Sequence, residues 1–320
     1  MIVMASDFAL TTARLKALRS GKTVVAERAA IFRIEGTGAL QCLQGLLTND
    51  LVAAGDASLV YGALLTSKGM IVVDPWVLRQ GDRFTLVIEA HAREPAAQLL
   101  GRVLPPRLAK ISDLSDQWSI AWALGSCGFE RLVRAAGAAH PGHGRVVSGS
   151  DDILLAGGPT QGAFHGLVVG PAEALGHLLD RAGSERGEIA DLAAARVQAG
   201  WPTLGREIDE RTLPQEVRFD ELGAVSYVKG CYTGQETVAR VHFRGHVNRT
   251  LRGLRIEGAT PLDETTLRLG DREVGTVRTV IRLEAQQLAL ALLRREVEEG
   301  TSLRTGDRVA TVVPLPFILS

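Results

Sequence analysis

The sequence has little cysteine and no excess of charge, and both shortages exclude classes of protein. Its 320 residues include only Cys42, Cys127 and Cys231, which lie far apart and form no C-x-x-C pair. A disulfide framework and an ordinary four-thiolate cluster site are therefore excluded, and a reducing compartment, the cytoplasm, is expected. The formal net charge is zero, so we expect no stable nucleic-acid binding. A local basic patch is still compatible with a net charge of zero.

Long apolar runs are also absent. No stretch approaches the roughly 18–20 apolar residues that a membrane span needs, and the N-terminal segment has no basic region before an apolar one, so we expect neither a membrane span nor a secretory signal. The hydrophobic fraction of 46% and the charged fraction of 22% are typical of a globular protein. The length suffices for two or three domains with sizeable cores.

The pattern along the chain predicts an α+β fold in three parts. Residues 1–110 contain the strand "AAIFRIEG", the helical spacing of "GTGALQCLQGLLTND", and a hairpin whose turn "SKG" needs a positive φ at Gly69. The proline-rich stretch "PPRLAKISDLSDQ" indicates a boundary. Residues 111–184 then predict a second α+β unit of ferredoxin-like type, with strands "WSIAWALG", "DILLAGG" and "GLVVG" and the helix "PAEALGHLLDRAG".

The last parts of the chain differ from each other in pattern. Residues 185–248 contain the helix "EIADLAAARVQAG" and an irregular stretch, and we expect them to complete the first unit. Residues 249–320 read as short strands with Gly-Asp turns at 270–271 and 306–307. Such punctuation predicts a small closed β-barrel at the C-terminus.

The segment "YVKGCYTGQETVARVHF" at 227–243 concentrates the residues with chemical potential. Thr233 and Glu236 stand three apart before an apolar run, which predicts a capping box and a helix that ends near Arg244. Cys231 would then lie just before a helix N-terminus, with Lys229 nearby, and both features favour a thiolate. The alternative is a buried structural cysteine. His242 and His246 lack the glutamate of H-E-x-x-H, so no metal site is predicted.

These residues carry a family resemblance. The stretch "KGCYTGQE" at 229–236, followed by "VAR" at 238–240, resembles the signature of the YgfZ family, folate-binding proteins related to the glycine-cleavage T-protein, an aminomethyltransferase. Three other blocks are similar to the family in the same order, namely "LQGLLTNDL" at 43–51, "ALLTSKGMIVVD" at 63–74 and "ARVQAGWPTLGREIDERTLPQEV" at 195–217.

The resemblance implies a fold, a cofactor and partners. The fold is a ring of three domains, two α+β units and a C-terminal β-barrel, around a channel that binds tetrahydrofolate or another folate. The implied role is accessory, in the assembly or repair of iron–sulfur clusters, chiefly 4Fe–4S, with assembly proteins and client enzymes as partners. The catalytic residues implied are Cys231 and Lys229, and Cys231 is also a candidate ligand for a transient cluster.

The resemblance also implies cofactor-binding residues, although several have plain structural alternatives. Asn49 and Asp50 would face the channel, or would serve only as turn and cap residues. Trp201 would stack on a planar ligand, or would be core. Further residues implied at the cofactor site are Gln198, Tyr232, Gln235, Glu236 and Arg240.

Two departures from the T-protein pattern bear on activity. The pterin-binding carboxylate of the T-protein falls at Gln198, whose amide accepts hydrogen bonds only at its oxygen. An acidic pair after the hairpin is reduced to Val73 and Asp74. We therefore expect an accessory factor, and we keep two alternatives open: a tetrahydrofolate-dependent aminomethyltransferase, and a thiol-dependent redox or RNA-modification factor.

Overall fold

The computed structural model describes residues 6–160 and 162–318; the five residues before them and the two after them, which fall within the expected outer domains, lie outside the described residues. The strands are β1 (Ser6–Ala9), β2 (Thr23–Glu27), β3 (Ala29–Glu35), β4 (Ser58–Tyr61), β5 (Leu64–Leu65), β6 (Ile71–Val73), β7 (Trp76–Gln80), β8 (Arg83–Glu89), β9 (Lys110–Asp113), β10 (Trp118–Ala123), β11 (Val146–Ser148), β12 (Leu154–Gly157), β13 (Gly166–Pro171), β14 (Glu185–Arg186), β15 (Arg249–Glu257), β16 (Thr266–Leu269), β17 (Arg272–Arg282), β18 (Gln286–Arg294), β19 (Ser302–Thr305) and β20 (Arg308–Val313). The helices are α1 (Thr12–Leu18), α2 (Ala39–Gln44), α3 (Leu51–Ala54), α4 (Arg93–Val103), α5 (Ser126–Ala135), α6 (Ala172–Arg181), α7 (Ile189–Ala199) and α8 (Gln235–Arg244), with 3₁₀ turns at Ala90–Ala92 and Pro214–Val217. None of these helices is long and apolar enough to cross a membrane.

The first sheet has the strand order β4-β7-β8-β3-β9 and is antiparallel. The hairpin that the sequence predicts is present, as β4 pairs with β7 and the short β5 pairs with β6 at its tip. Gly69 in the turn has φ +85°, the left-handed conformation that glycine adopts without strain. The hairpin tip thus projects from the sheet toward the segment 233–237.

The second sheet has the order β11-β12-β13-β10-β2-β14. Its strands β12, β13, β10 and β14 follow a ferredoxin-like order, with β2 inserted between β10 and β14. The sheets therefore divide the chain differently from the expected bounds, because β2, before residue 110, pairs with β10, and β9, which runs past residue 110, pairs with β3. Pairing between segments about a hundred residues apart leaves no local sequence signal.

The C-terminal strands close into a barrel. The hydrogen-bonded order β17-β16-β19-β20-β15-β18 returns to β17, which gives six strands in a closed ring, and β1 adds to β17 in parallel. Inward side chains such as Leu254, Val277 and Ala291 form a separate buried core. Closure leaves the ring without a free edge.

Helix α7 lies between the barrel and the other sheets. Its alanine-rich sequence is buried on nearly all sides, and it contacts α1, β1, β2, β17 and β18. Small side chains allow this close approach. The helix ends at Gly200, which has φ +66° and whose carbonyl accepts a hydrogen bond from the Arg218 guanidinium at 2.8 Å. Because the helix ends at Gly200, the next residue, Trp201, lies in the region where the sheets meet.

Candidate functional site

A narrow recess, with a cavity volume of about 30 Å³, lies where the two sheets meet the end of α7. Its walls come from β2, the hairpin, β8, β10, the 163–164 loop and α7, and they include Glu27, Tyr61, Asp74, Trp76, Val87, Glu89, Trp122, Phe164, Arg196 and Trp201. Residues distant in sequence therefore build one site, and most carry polar groups.

Aromatic rings form one side of this recess. The rings of Trp76 and Trp201 stack with centroids 5.3 Å apart, and Tyr61 lies 4.8 Å from Trp76 and 4.9 Å from Trp201. Phe164 contacts Trp76 and Trp122 at 5.0 and 4.7 Å. These rings pack mainly on one another, and Tyr61, Trp76 and Trp201 are each less than a tenth exposed, so they reach the recess only along their edges.

Asp74 is buried at the base of the recess. Its Oδ2 accepts a hydrogen bond of 2.8 Å from the hydroxyl of Tyr61. Burial raises the pKa of Asp74 to about 7, although the Tyr61 hydrogen bond opposes the shift. A carboxyl group with this pKa can hold or release a proton near neutral pH.

A second polar group lies opposite the aromatic rings. Arg196 pairs with Glu89 at 2.8 Å, and its guanidinium lies 5.6 Å from the centre of the Trp122 ring. The indole N–H of Trp122 donates to Glu27. Burial raises the pKa of Glu27, and the charge of Arg196 opposes that rise. The recess therefore holds three carboxyl groups and one buried arginine.

Asn49 and Asp50 line an adjoining recess of about 240 Å³ that shares Tyr61, Trp76 and Trp201 with the first. The Asn49 amide donates to the carbonyl oxygens of Tyr61 and Gly223 at 2.8 and 2.7 Å. Asp50 accepts from the backbone N–H groups of residues 52 and 53 and so caps α3. The predicted cofactor residues thus reach the recess, where both polar atoms of the Asn49 amide and the Oδ1 of Asp50 are hydrogen-bonded to the protein.

Lys229 turns away from solvent. Its ammonium donates to the carbonyl oxygens of Gln44, Leu47 and Asn49 at 2.7, 2.8 and 2.8 Å. Burial lowers the pKa of Lys229 to about 8, and the nearby Asp50 opposes this shift. All three N–H groups are used, so the side chain holds the loop and has no hydrogen left for the Cys231 thiol. The catalytic role of Lys229 stays a prediction.

Cys231 is exposed, beside this anchored lysine. The neighbouring Tyr232 is buried, with Lys229 Nζ 5.3 Å from its ring centre. Burial raises the pKa of the Tyr232 phenol to about 12. The buried side chains of Lys229 and Tyr232 therefore hold the loop while the Cys231 thiol faces solvent. A reactive cysteine requires such exposure.

The predicted capping box is wrong. Helix α8 begins at Gln235, its cap position is Gly234 with φ +81°, and no side chain caps it. A Cβ at Gly234 would lie 2.5 Å from the carbonyl oxygen of Thr66, and one at Gly69 would lie 2.9 Å from the Thr237 Cβ. The hairpin tip and the start of α8 therefore interlock through two glycines. The predicted helix end at Arg244 is confirmed.

The other predicted site residues lie away from the recess. Gln198 is buried, and its Oε1 accepts no hydrogen bond from the described residues, yet it does not line either recess. Gln235, Glu236 and Arg240 lie on α8, and the last two are exposed. Their cofactor roles stay predictions.

The recess also contains five residues that sequence reasoning missed, namely Glu27, Tyr61, Trp76, Glu89 and Arg196. Arg196 stands within "RVQAG" two residues before Gln198, so the motif itself could have pointed to it. The strand residues gave no such signal, because a polar residue at the end of a strand is common at any exposed edge.

Comparison with known proteins agrees with this architecture. Residues 12–126 match the family model of the GCVT N-terminal domain, and residues 248–316 match that of the CAF17 C-terminal β-barrel domain. The chain is 28% identical over 308 residues to the tRNA-modifying protein YgfZ of Cronobacter sakazakii and 28% identical over 306 residues to that of Escherichia coli O157:H7, with 91% of both chains covered in each case.

A solved structure confirms the fold. The glycine cleavage system aminomethyltransferase T from Bartonella henselae superposes with a TM-score of 0.81 at 18% identity, covering 96% of this chain and 89% of that one. The predicted T-protein-like α+β fold with a C-terminal β-barrel is therefore confirmed.

Proposed function

The chain is a member of the YgfZ family with a GCVT N-terminal domain and a CAF17-type barrel, and from this premise we propose that it is a folate-binding accessory factor for iron–sulfur enzymes. Because its relatives are named tRNA-modifying proteins, we place this activity in tRNA modification. The exposed thiol of Cys231 is the proposed reactive group.

The observation that carries the proposal is the pairing of aromatic walls with buried acids in one recess. A folate brings a flat pterin whose edge carries amino and ring N–H donors. Trp76 and Trp201 also line the adjoining recess of about 240 Å³, where their exposed edges would contact such a ring, and Asp74, Glu27 or Glu89 would offer carboxyl oxygens to its edge. The donor set therefore fits the group, even though Gln198 replaces the carboxylate of the T-protein pattern.

Each residue has a separate task in this proposal. Arg196, which pairs with Glu89, offsets the negative charge of the carboxylates in the recess. Asp74 holds or releases a proton at its carboxyl group. When bound, a reduced folate would supply a carrier for one-carbon groups. Cys231 would contact the client or its cluster from outside, as a single ligand, nucleophile or shuttle.

Folate binding can be tested by isothermal titration with 5-formyltetrahydrofolate. We expect wild-type binding, and up to about fivefold weaker binding for Trp201→Phe, since the smaller ring loses part or all of an aromatic contact worth about 1 kcal/mol. Trp118→Phe is the matched control, because Trp118 is also buried but lies outside the recess. Absence of wild-type binding, or equal losses in the two variants, would overturn the folate assignment.

One observation favours a second function, aminomethyl transfer. Asp74 lies in the recess as a buried acid with its pKa near neutrality, which is the type of group that such a transfer uses. The test is formation of methylenetetrahydrofolate when the chain replaces the T-protein in a reconstituted glycine-cleavage system. Clear turnover that Asp74→Asn abolishes would establish this function and displace the accessory role.

A further inference from the structure

Helix α8 carries positive charge on its exposed surface. Arg240 and Arg244 are exposed and lie one turn apart, and His246 is exposed just beyond the helix. Neither arginine forms an ion pair or a hydrogen bond with the residues that the structure describes, whereas the nearby His242 and Arg249 pair with Asp220 and Glu216. Like charges four residues apart destabilise a helix, so an anionic partner would relieve this repulsion.

The same surface exposes two large apolar side chains. Val228 is 95% exposed and Phe243 is 66% exposed. Phe243 contacts Tyr227 and His242 edge-on, at centroid distances of 5.9 and 4.8 Å, and Tyr227 stacks on His242 at 3.6 Å. The ring of Phe243 is therefore held along one side while the rest of its surface faces solvent.

A partner for this surface must provide both anions and flat apolar groups. Phe243 lies between the two arginines in the sequence, so charge and aromatic surface alternate over one helical turn. An acidic peptide would neutralise the arginines but would leave the exposed ring unmatched. Single-stranded nucleic acid provides phosphates for guanidinium groups and bases that stack on aromatic rings, in the same alternation.

We infer that this surface, formed by Arg240, Phe243, Arg244 and His246, binds single-stranded RNA. The choice of RNA rests on the proposed role in tRNA modification. The loop that holds the thiol leads into the start of α8, whereas the surface lies toward the other end of this ten-residue helix, about 15 Å along its axis. A strand of several nucleotides bound there could extend along α8 toward the exposed sulfur. Since the chain as a whole is uncharged, binding at so small a basic surface is weak and sensitive to salt.

The test is fluorescence anisotropy of the full chain with a labelled single-stranded RNA of about 12 nucleotides, a length within the range that one such site covers. We expect Arg240→Gln/Arg244→Gln to weaken binding about tenfold and to lower the slope of log affinity against log salt by about 1.4, the value for two lost phosphate contacts. Phe243→Ala should weaken binding about fivefold through lost stacking, with the salt slope unchanged.

The control is Arg134→Gln/Arg181→Gln, which removes the same charge from two exposed arginines on α5 and α6, and it should bind as the wild type does. No wild-type binding, or equal losses in both arginine variants, would overturn the inference. So would displacement of the RNA by polyglutamate together with unchanged binding by Phe243→Ala, because this result would indicate an acidic protein partner. Folate binding is measured separately by titration. A failure of the RNA proposal can therefore be told apart from a failure of the folate proposal.

Discussion

The ammonium of Lys229 donates a hydrogen bond of 2.7 Å to the carbonyl oxygen of Gln44, which lies 185 positions earlier in the chain. Two further carbonyl oxygens, of Leu47 and Asn49, accept its other hydrogens. One side chain therefore ties the Cys231 loop to the connection between α2 and α3. The same connection lines the aromatic recess through Asn49 and Asp50, so the loop of the thiol and the recess are held by the same segment.

Lys229→Met should destabilise the protein. The variant leaves three carbonyl oxygens without their donor, and although it removes a buried charge, we expect a net loss of about 3 kcal/mol in the free energy of unfolding. Urea denaturation measures this value. Lys68→Met, in the exposed hairpin turn, is the control and should change stability by less than about 0.5 kcal/mol. Similar values for the two variants would mean that the lysine does not hold the loop.

Gly234→Ala should be far more harmful than Gly230→Ala. Position 234 has φ +81°, and an added Cβ would lie 2.5 Å from the carbonyl oxygen of Thr66. Left-handed backbone alone costs an alanine about 1–2 kcal/mol, and the clash adds to this cost. At Gly230 no atom lies within 4 Å of an added Cβ. Thermal unfolding of both variants measures the difference, and equal melting temperatures would refute the interlock with the hairpin.

Asp74→Asn should change how stability depends on pH. The folded-state pKa of Asp74 is about 7, above the ordinary value of 3.8. The folded protein therefore holds this proton more tightly, and the resulting stability is complete below about pH 4 and is lost as pH rises through 7.

The free energy of unfolding of the wild type, relative to that of Asp74→Asn, should accordingly fall by on the order of 3 kcal/mol between these two pH values. The Asn oxygen can still accept the Tyr61 hydroxyl, so this variant removes the titration and keeps the hydrogen bond. Denaturation midpoints measured across the pH range test the claim. Parallel curves for the two proteins would show that Asp74 ionises as it does in water.

Local pattern predicted much of the fold, and non-local contact decided the rest. Alternation and turn residues indicated the hairpin around Gly69 and the strands of the barrel, because each is formed by neighbours in sequence. The insertion of β2 between β10 and β14 is different, since its hydrogen bonds join segments about a hundred residues apart. Nothing in "TVVAE" itself indicates which sheet it enters.

The site shows the same division between local and distant information. The motif pointed to Cys231, whose exposure only the folded chain reveals. The capping box failed because Gly234 meets Thr66 across the fold and adopts a left-handed conformation, which moves the helix start to Gln235. The recess could not be predicted for a related reason. Glu27, Asp74 and Arg196 lie on separate elements, so they become neighbours only after folding.

The most direct test of the central claim is complementation of a bacterial strain that lacks its YgfZ protein, read out as the activity of a 4Fe–4S enzyme. The wild-type chain should restore that activity, and Cys231→Ser should restore little of it at equal protein level. Cys127→Ser is the control, because Cys127 lies at the start of α5, outside the motif. Full rescue by Cys231→Ser would contradict the role assigned to the exposed thiol.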